Sequence, residues 1–225
     1  MILSLMVLAE FAMIAYCGSR PNYQLILGAG VFANMILIAL FAPYLIEVGG
    51  LVTNIGTVFY AGVVASMCVV IERFGPLVAR DAIPKTYIRL LMIFTACAVI
   101  ERLPVVEGNE DFAAAAKLVA SHQARVVAAA FIAFFLSQMI LVIAYPKIRQ
   151  RYGPVLAVAA GTVLCQAVDS PVFFGVAFSD SGFSAVLNLA VTGFLVKIAA
   201  SIVLAPAVFI AVAYAPGRSL TLSYE

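Results

Sequence analysis

Seven apolar runs, separated by short polar stretches, make up almost the whole chain. Each approaches the roughly 20 residues that a helix rising 1.5 Å per residue needs to cross a bilayer. None shows the strict alternation of a half-buried strand, so the pattern predicts helices throughout. The runs cover residues 2–17, 23–44, 52–72, 86–104, 123–145, 154–178 and 184–214. The first run is short, and the last is long enough to tilt or to kink at Pro206.

The composition favours a membrane protein, because 65% of the residues are hydrophobic and only 11% are charged. A soluble chain of 225 residues needs more polar surface to cover its core. We therefore predict an all-α polytopic membrane protein with a single transmembrane domain over residues 1–225. Residues 23–214 form its core helical bundle. Residues 1–17 either add an N-terminal span or do not cross the membrane, so the number of transmembrane helices is six or seven.

The basic residues predict the orientation, since cytoplasmic loops of membrane proteins are enriched in Lys and Arg. The connections after the third and fifth runs contain Arg73, Arg80, Lys85, Lys147, Arg149 and Arg151, whereas the alternate connections contain Glu47, Glu107, Glu110, Asp111 and Asp180. Three basic residues on the acidic side are exceptions: Arg102, Lys117 and Arg125. This distribution places the C-terminus in the cytoplasm. The net charge is +2 without any basic run, so no nucleic-acid partner is expected.

Several missing motifs argue against an enzyme. The chain contains no G-x-x-x-x-G-K-S/T loop and no H-E-x-x-H, and its spans contain no paired aspartates or Ser/His dyad. The four cysteines lack C-x-x-C spacing, which indicates small buried apolar residues rather than a disulfide framework or a metal site. They are Cys17, Cys68, Cys97 and Cys165. No catalytic residue, metal or cofactor is expected.

Asp169 and Lys197 are the most informative polar residues, because both lie well inside apolar runs. An ionisable side chain at the bilayer centre costs about 2.5–3.5 kcal/mol on insertion scales, so each of them needs a partner. They stand on consecutive predicted helices, where an ion pair would offset the desolvation of both charges. Such a pair either fixes helix packing or borders a polar cavity.

The helical spacing around Asp169 points to a binding face. Gln166, Asp169 and Phe173 fall at i, i+3 and i+7, which places an amide, a carboxylate and an aromatic ring on one side of a helix. Such a face suits a flat heterocycle with hydrogen-bond donors. Other polar groups within the spans should face the bundle interior, either as ligands or as contacts between helices. These are Asn34, Asn54, Tyr60 and Gln138.

Two further carboxylates are expected near the membrane surfaces. Glu10 is predicted near the outer end of the first run, where it touches water. Glu72, followed by Arg73, ends the third run at the cytoplasmic face, where long side chains reach the interface easily. A topological anchor is the favoured role of Glu72, ahead of a substrate ligand.

Four stretches in order make the chain resemble the queuosine precursor transporters, also called the vitamin uptake transporter family. The likeness runs from about Leu27 to about Val212. It is carried by Asn34, by Gly56, Phe59, Glu72, Gly75, Ala79 and Arg80, by Arg125 and Gln138, by Gln166, Asp169, Phe173 and Phe178, and by Lys197 and Pro206. The chain departs from the family at Cys68 and Leu141, where members usually have Asp, and in its first run, which exceeds the usual six.

The resemblance implies import of a 7-deazaguanine such as preQ0, preQ1 or queuine across a bacterial inner membrane. It also implies a fold similar to the substrate-binding subunits of energy-coupling-factor transporters, working without their ATPase. We expect a pocket between the third, fifth, sixth and seventh spans, nearer the outer half. Asp169 would be the primary ligand with Lys197 as its charge partner. Phe173 or Tyr60 would stack on the ring, and the secondary polar contacts would be Gln166, Gln138, Asn34 and Asn54.

Two rival interpretations remain open at this point. The chain would also suit a vitamin-binding subunit of an ATPase-driven importer. Alternatively, it is a non-transporting membrane scaffold in which Asp169 and Lys197 only lock the packing. Besides the small heterocycle and the bilayer, a second copy of the chain is compatible with the sequence as a partner.

Overall fold

The computed structural model of the chain describes residues 2–18, 23–42, 44–48, 50–100, 111, 114 and 124–213. Within these residues it contains six α-helices, one two-stranded hairpin and one short 3₁₀ turn. The helices are α1 (Ile2–Gly18), α2 (Tyr23–Phe41), α3 (Gly56–Phe74), α4 (Pro76–Ile100), α5 (Ala124–Ala177) and α6 (Phe183–Ala213). The strands are β1 (Leu45–Val48) and β2 (Leu51–Asn54), and the 3₁₀ turn is Ser179–Ser181.

Helix α5 is two helices joined at Gly153, where the backbone is not helical. Its first arm, α5a, covers residues 124–152, and its second arm, α5b, covers residues 154–177. With this division, the helices overlap all seven predicted runs. The predicted ends of the fourth run, beyond residue 100, and of the seventh, at residue 214, lie outside the described residues.

The described helices have the length and composition of membrane spans. Three of them, Gly56–Phe74, Arg125–Ala177 and Phe183–Ala213, are long and apolar enough to cross a bilayer. A further apolar helix, Ser4–Tyr16, is shorter. Large apolar side chains also cover the outside of the bundle, as a lipid-facing surface requires, for example Leu91, Met92 and Ile202. The chain is therefore an all-α membrane protein whose backbone crosses more than once.

The hairpin between α2 and α3 corrects the prediction of helices throughout. The third run was predicted to begin at residue 52, but β2 continues to Asn54 and the helix begins at Gly56. The strands pair antiparallel, with Leu45 opposite Asn54 and Val48 opposite Leu51. The segment LIEVGGLVTN places a Gly-Gly pair between two short stretches that contain β-branched residues, which is a hairpin signal in the connection between the second and third runs.

Two matching elbows turn the chain at the opposite end of the bundle from the hairpin. The sequence RFGP (73–76) joins α3 to α4, and RYGP (151–154) joins the two arms of α5. Gly75 and Gly153 have φ of 85° and 84°, with ψ of 165° and 175°. Only glycine adopts this conformation routinely, and the following proline suits the first turn of the next helix. We call this side of the bundle the elbow end and the other the hairpin end.

Helix α3 is the centre of the molecule. All its residues from Gly56 to Glu72 are buried, and it contacts each of the other five described helices. Such a helix needs small residues where its neighbours approach closely. Gly62 is one of them, because a Cβ there would overlap the carboxylate of Glu10 on α1. The polar groups that α3 presents therefore face other helices, not lipid.

Candidate functional site

A small cavity lies inside the bundle, toward the hairpin end. Five helical segments and the end of β2 build its wall, which combines apolar side chains with one ion pair. The lining residues are Met35, Ile38, Ala42, Asn54, Gly56, Thr57, Tyr60, Ala130, Phe134, Asp169, Phe173 and Lys197.

Asp169 on α5b and Lys197 on α6 form a buried ion pair in the cavity wall. Each residue is 3% exposed, and Lys197 Nζ donates to Asp169 Oδ2. Lys197 Nζ also donates to Ser170 Oγ at 3.3 Å. The expected pair between consecutive helices is therefore present. The two charges cancel, so the wall offers an acceptor and a donor side by side without a net charge.

Aromatic rings surround the ammonium group. Lys197 Nζ lies 4.7 Å from the ring centroid of Tyr60 and 5.9 Å from that of Phe174. Both distances lie within the range of cation–π attraction, which helps to offset the lost hydration of the lysine. Gly193, one helical turn before Lys197, lets Phe174 approach, since a Cβ at this position would overlap the ring. Gly193 on α6 therefore allows the Phe174 ring to pack close to Lys197.

Tyr60 connects the cavity to α5. Its hydroxyl is hydrogen-bonded to Ser137 Oγ on α5a and lies 3.6 Å from Cys165 Sγ on α5b. Ser137 in turn donates to the carbonyl of Phe134 at 3.0 Å. These contacts fix the tyrosine ring against Lys197. Tyr60 is thus part of the frame of the ion pair as well as of the cavity wall.

The hairpin end of the cavity is made by the junction of β2 and α3. Thr57 Oγ1 donates to the carbonyl of Asn54 at 2.7 Å, which holds the strand against the first turn of the helix. The side-chain oxygen of Asn54 lies over Gly56, 3.0 Å from where a Cβ would be. Asn54 therefore depends on the glycine for its position beside the cavity.

The structure brings five of the eight predicted ligand residues to the cavity and leaves three elsewhere. Asp169, Lys197, Phe173, Asn54 and Tyr60 line it. The three that do not are Asn34, Gln138 and Gln166. Phe173 presents one edge of an aromatic cluster, with its centroid 5.1 Å from that of Phe174 and the two rings nearly perpendicular.

Asn34 was expected to contact the ligand, but it is hydrogen-bonded to Glu10 instead. Its Nδ2 donates to Glu10 Oε2 at 2.9 Å, across the α1–α2 interface. Glu10 is only 6% exposed, so the prediction that it touches water is wrong. The two side chains satisfy each other beside Gly62. Because Glu10 was expected to touch water, no buried partner was sought for it, and the contact was missed.

Gln138 and Gln166 lie deeper in the bundle than the cavity, toward the elbow end. Both are fully buried. Gln138 Nε2 lies 3.6 Å from Cys165 Sγ, while its Oε1 and both amide atoms of Gln166 have no hydrogen-bond partner among the described residues. The helical face predicted through Gln166, Asp169 and Phe173 exists, but it continues past the cavity.

Glu72 is also placed differently from its prediction as a surface anchor. It is 2% exposed, and its Oε1 accepts from Arg149 Nε at 2.8 Å and from the Tyr145 hydroxyl at 2.9 Å. Its position near the elbow end was correct. Its burial was not, because Arg149 from α5a supplies a counter-charge that makes exposure unnecessary.

The apolar lining was missed by sequence analysis. Met35, Ile38 and Ala42 on α2 face the cavity from a span with no predicted role beyond Asn34, and Ala130 and Phe134 face it from α5a. Met35, Ile38 and Ala42 fall at i, i+3 and i+7 on one helical face. In a wholly apolar span, however, such spacing does not distinguish one face from another. Within the described residues, no group of three potential metal ligands occurs.

A family comparison gives this site a context. Residues 54–211 match the family model described as "Putative vitamin uptake transporter". The chain belongs to this vitamin uptake transporter family. The resemblance predicted from the sequence is therefore confirmed at the level of the family. The matched region begins at Asn54 and includes Tyr60, Asp169, Phe173 and Lys197, whereas Glu10 precedes it. No curated protein and no solved structure matches the chain.

Membership of a vitamin uptake transporter family makes the chain a multi-pass membrane protein of a transport family, with a small molecule as the implied substrate. This agrees with the geometry of the site. A vitamin uptake transporter needs a polar site within an apolar bundle, and the Asp169–Lys197 pair beside the cavity supplies one.

Proposed function

We propose that the protein imports a 7-deazaguanine precursor of queuosine, such as preQ0, preQ1 or queuine, across a bacterial inner membrane. One observation carries the proposal. A buried carboxylate–ammonium pair, framed by aromatic rings, borders a cavity inside a membrane bundle of the vitamin uptake transporter family. Few polar groups line the cavity, so a ligand must match those few groups closely.

The chemistry of the pair fits the hydrogen-bonding edge of a guanine-like base. That edge presents a carbonyl oxygen beside an N1–H and a 2-amino group. Asp169 would accept from the two adjacent N–H groups, and Lys197 would donate to the carbonyl. Lys197 thereby takes the role that sequence analysis gave to Gln166 or Gln138, which do not line the cavity.

The ring of the ligand would contact Phe173 and Tyr60, which face the cavity from different helices. Without a ligand, Asp169 and Lys197 satisfy each other, so the site carries no unpaired charge. A ligand that offers both donors and an acceptor replaces that contact with two complementary ones. A purely apolar molecule of the same size offers neither and should not bind.

The proposed orientation places the hairpin end outside and the C-terminus in the cytoplasm. The elbow end carries Arg73, Arg80, Arg149 and Arg151, which agrees with the enrichment of basic residues on the cytoplasmic side. In this orientation the cavity lies in the outer half of the membrane, where an importer first meets its substrate. Alternating access would follow from helix movement around the cavity.

The test is uptake of labelled preQ0, preQ1 and queuine by cells that neither make these bases nor have an importer of their own. We expect uptake with the wild-type chain and none with Asp169→Asn. Asp81→Asn is the matched control, because this exposed aspartate on α4 is paired only with Lys85 and should leave uptake unchanged. Good membrane expression without any uptake would overturn the proposal.

Purified protein separates the two rival functions from this one. Uptake into liposomes that contain only this chain would exclude dependence on an ATPase. Binding of a deazaguanine that Asp169→Asn abolishes, while the variant still elutes as a folded protein, would exclude a scaffold in which the pair only locks packing. Binding without uptake in liposomes would instead favour the ATPase-driven importer.

A further inference from the structure

A row of buried polar side chains leads from the cavity to the elbow end, along the junction of α3, α5a and α5b. We call it the polar seam. The residues follow helical spacing on each of the three segments, so that each segment turns one polar face toward the other two. They are Cys68 and Glu72 on α3, Ser137, Gln138, Tyr145 and Arg149 on α5a, and Thr162, Cys165 and Gln166 on α5b.

Contacts between the three segments occur at several levels of the seam. Tyr60, in the cavity wall, is hydrogen-bonded to Ser137 and approaches Cys165. Gln138 approaches Cys165 from α5a. One turn further along, Cys68 on α3 lies beside Thr162 on α5b. Thr162 and Cys165 are one turn apart on α5b, and Cys68 and Glu72 are one turn apart on α3, so the row continues along these helices toward the elbow end.

Several polar atoms of the seam are buried without a partner among the described residues. They are Gln138 Oε1, Gln166 Oε1 and Nε2, and Glu72 Oε2. Burying a polar group without a hydrogen bond destabilises a folded protein, so native structures contain few such atoms. Four of the seven such atoms found among the described residues lie in the seam, so this part of the bundle has unused hydrogen-bonding capacity.

The seam is closed at the elbow end by Glu72, Arg149 and Tyr145. The carboxylate is buried, whereas the Arg149 side chain is 23% exposed and so reaches the outside of the bundle. Both links to Glu72 join α3 to α5a. Gly75 lies one turn after Glu72, and Gly153 one turn after Arg149, so the two elbows flank the closure.

We propose that the polar seam is the route by which the ligand leaves the cavity, and that the Glu72–Arg149 pair is the gate at its elbow end. This inference rests on the proposed function, since it concerns the path of the same planar ligand. When the pair opens, Arg149 keeps its charge near water and Glu72 is freed. The unpartnered amides of Gln138 and Gln166 and the carboxylate of Glu72 then offer donors and acceptors to a base along the path.

The accessibility of Cys68 tests the gate without requiring any ligand. Cys68 is fully buried between the gate and the cavity. In a chain with Cys17, Cys97 and Cys165 replaced by alanine, a membrane-impermeant maleimide is added from the elbow side of membrane vesicles. We expect slow labelling of Cys68 in this background and at least tenfold faster labelling after Glu72→Gln or Arg149→Gln. The charge-swapped double variant Glu72→Arg with Arg149→Glu should return the rate toward the background value.

Two further variants keep the test decisive. Lys85→Gln is the matched control, because it breaks an exposed ion pair with Asp81 near the same elbow and should leave Cys68 labelling unchanged. Tyr145→Phe removes one hydrogen bond to Glu72 with little change in shape, and it serves if the charge variants fail to elute as folded protein. We expect it to speed labelling by a smaller factor.

The outcomes distinguish the gate from the ligand. Labelling of folded Glu72→Gln, Arg149→Gln and Tyr145→Phe variants at the background rate would overturn the gate, whatever the protein transports. Fast labelling in these variants supports the gate even if no deazaguanine is taken up. In that case only the proposed identity of the ligand is rejected. Uptake that persists unchanged when the seam is blocked by Gln166→Phe, in a folded variant, would overturn the route.

Discussion

At the scale of single residues, the site depends on one buried pair of opposite charges. Asp169 and Lys197 each have about 3% of their surface exposed, and neither has another charged partner among the described residues. The sequence predicted this pair because an unpaired charge in the hydrocarbon core of a membrane is energetically costly. It did not predict that Tyr60 and Phe174 would stand over the lysine, because ring positions depend on how helices are rotated against each other.

A double-mutant cycle on the pair separates its structural role from its role in binding. Lys197→Met or Asp169→Asn alone leaves one buried group without its partner, and removing one partner of a buried pair costs about 3–5 kcal/mol. We expect each single variant to lower the thermal denaturation midpoint in detergent. The double variant should recover much of that loss, because no charge remains unpaired.

Ligand binding should not recover in the double variant, since both proposed ligand groups are gone. Thermal denaturation with and without preQ1 gives both readouts from one sample. Recovery of stability together with ligand-induced stabilisation in the double variant would show that the pair is not the binding group.

At the scale of elements, the hydrophobic pattern predicted where helices lie but not how the chain turns between them. The runs overlap the observed helices because length and apolarity alone specify a span. The hairpin at residues 45–54 was missed because the third run was extended back into its second strand, where Val52 precedes Thr53 and Asn54. The elbows RFGP and RYGP were a readable signal, since Gly followed by Pro at a helix junction favours a sharp turn.

The elbow at Gly153 allows a prediction about the backbone alone. A Cβ at Gly153 would meet no atom within 4 Å, yet its φ of 84° with ψ of 175° is a conformation found almost only in glycine. We expect Gly153→Ala to destabilise the protein by about 1–3 kcal/mol, the cost of such backbone strain.

Gly175→Ala is the matched control, because Gly175 lies within α5b and its added Cβ would also meet nothing within 4 Å. In a helix interior, alanine is favoured over glycine by roughly 0.5–1 kcal/mol, so this variant should be as stable as wild type or more so. Thermal denaturation in detergent compares the two. Equal midpoints for both variants would contradict a strained elbow at Gly153.

At the scale of the whole molecule, the sequence predicted the class of protein, the family and the most polar part of the site. It placed Asn34, Gln138 and Gln166 in the cavity, and the structure places Asn34 against Glu10 and the two glutamines in the polar seam. A sequence shows which helical face a residue shares. It does not show the depth at which that face meets its neighbours, so residues one turn apart on the same face were assigned to the same site.

The orientation of the bundle in the membrane is predicted from the distribution of its basic residues. Two exposed positions at opposite ends can test it in a chain without its native cysteines: Glu47 on the hairpin and Lys85 beside the first elbow. We expect an impermeant maleimide added to intact cells to label Glu47→Cys, and to label Lys85→Cys only after the membrane is opened. The physical reason is that the basic residues gathered at the elbow end are retained in the cytoplasm during insertion. The reverse labelling pattern would place the cavity in the inner half of the membrane, and the Glu72–Arg149 gate would then face the outside and control entry instead of exit.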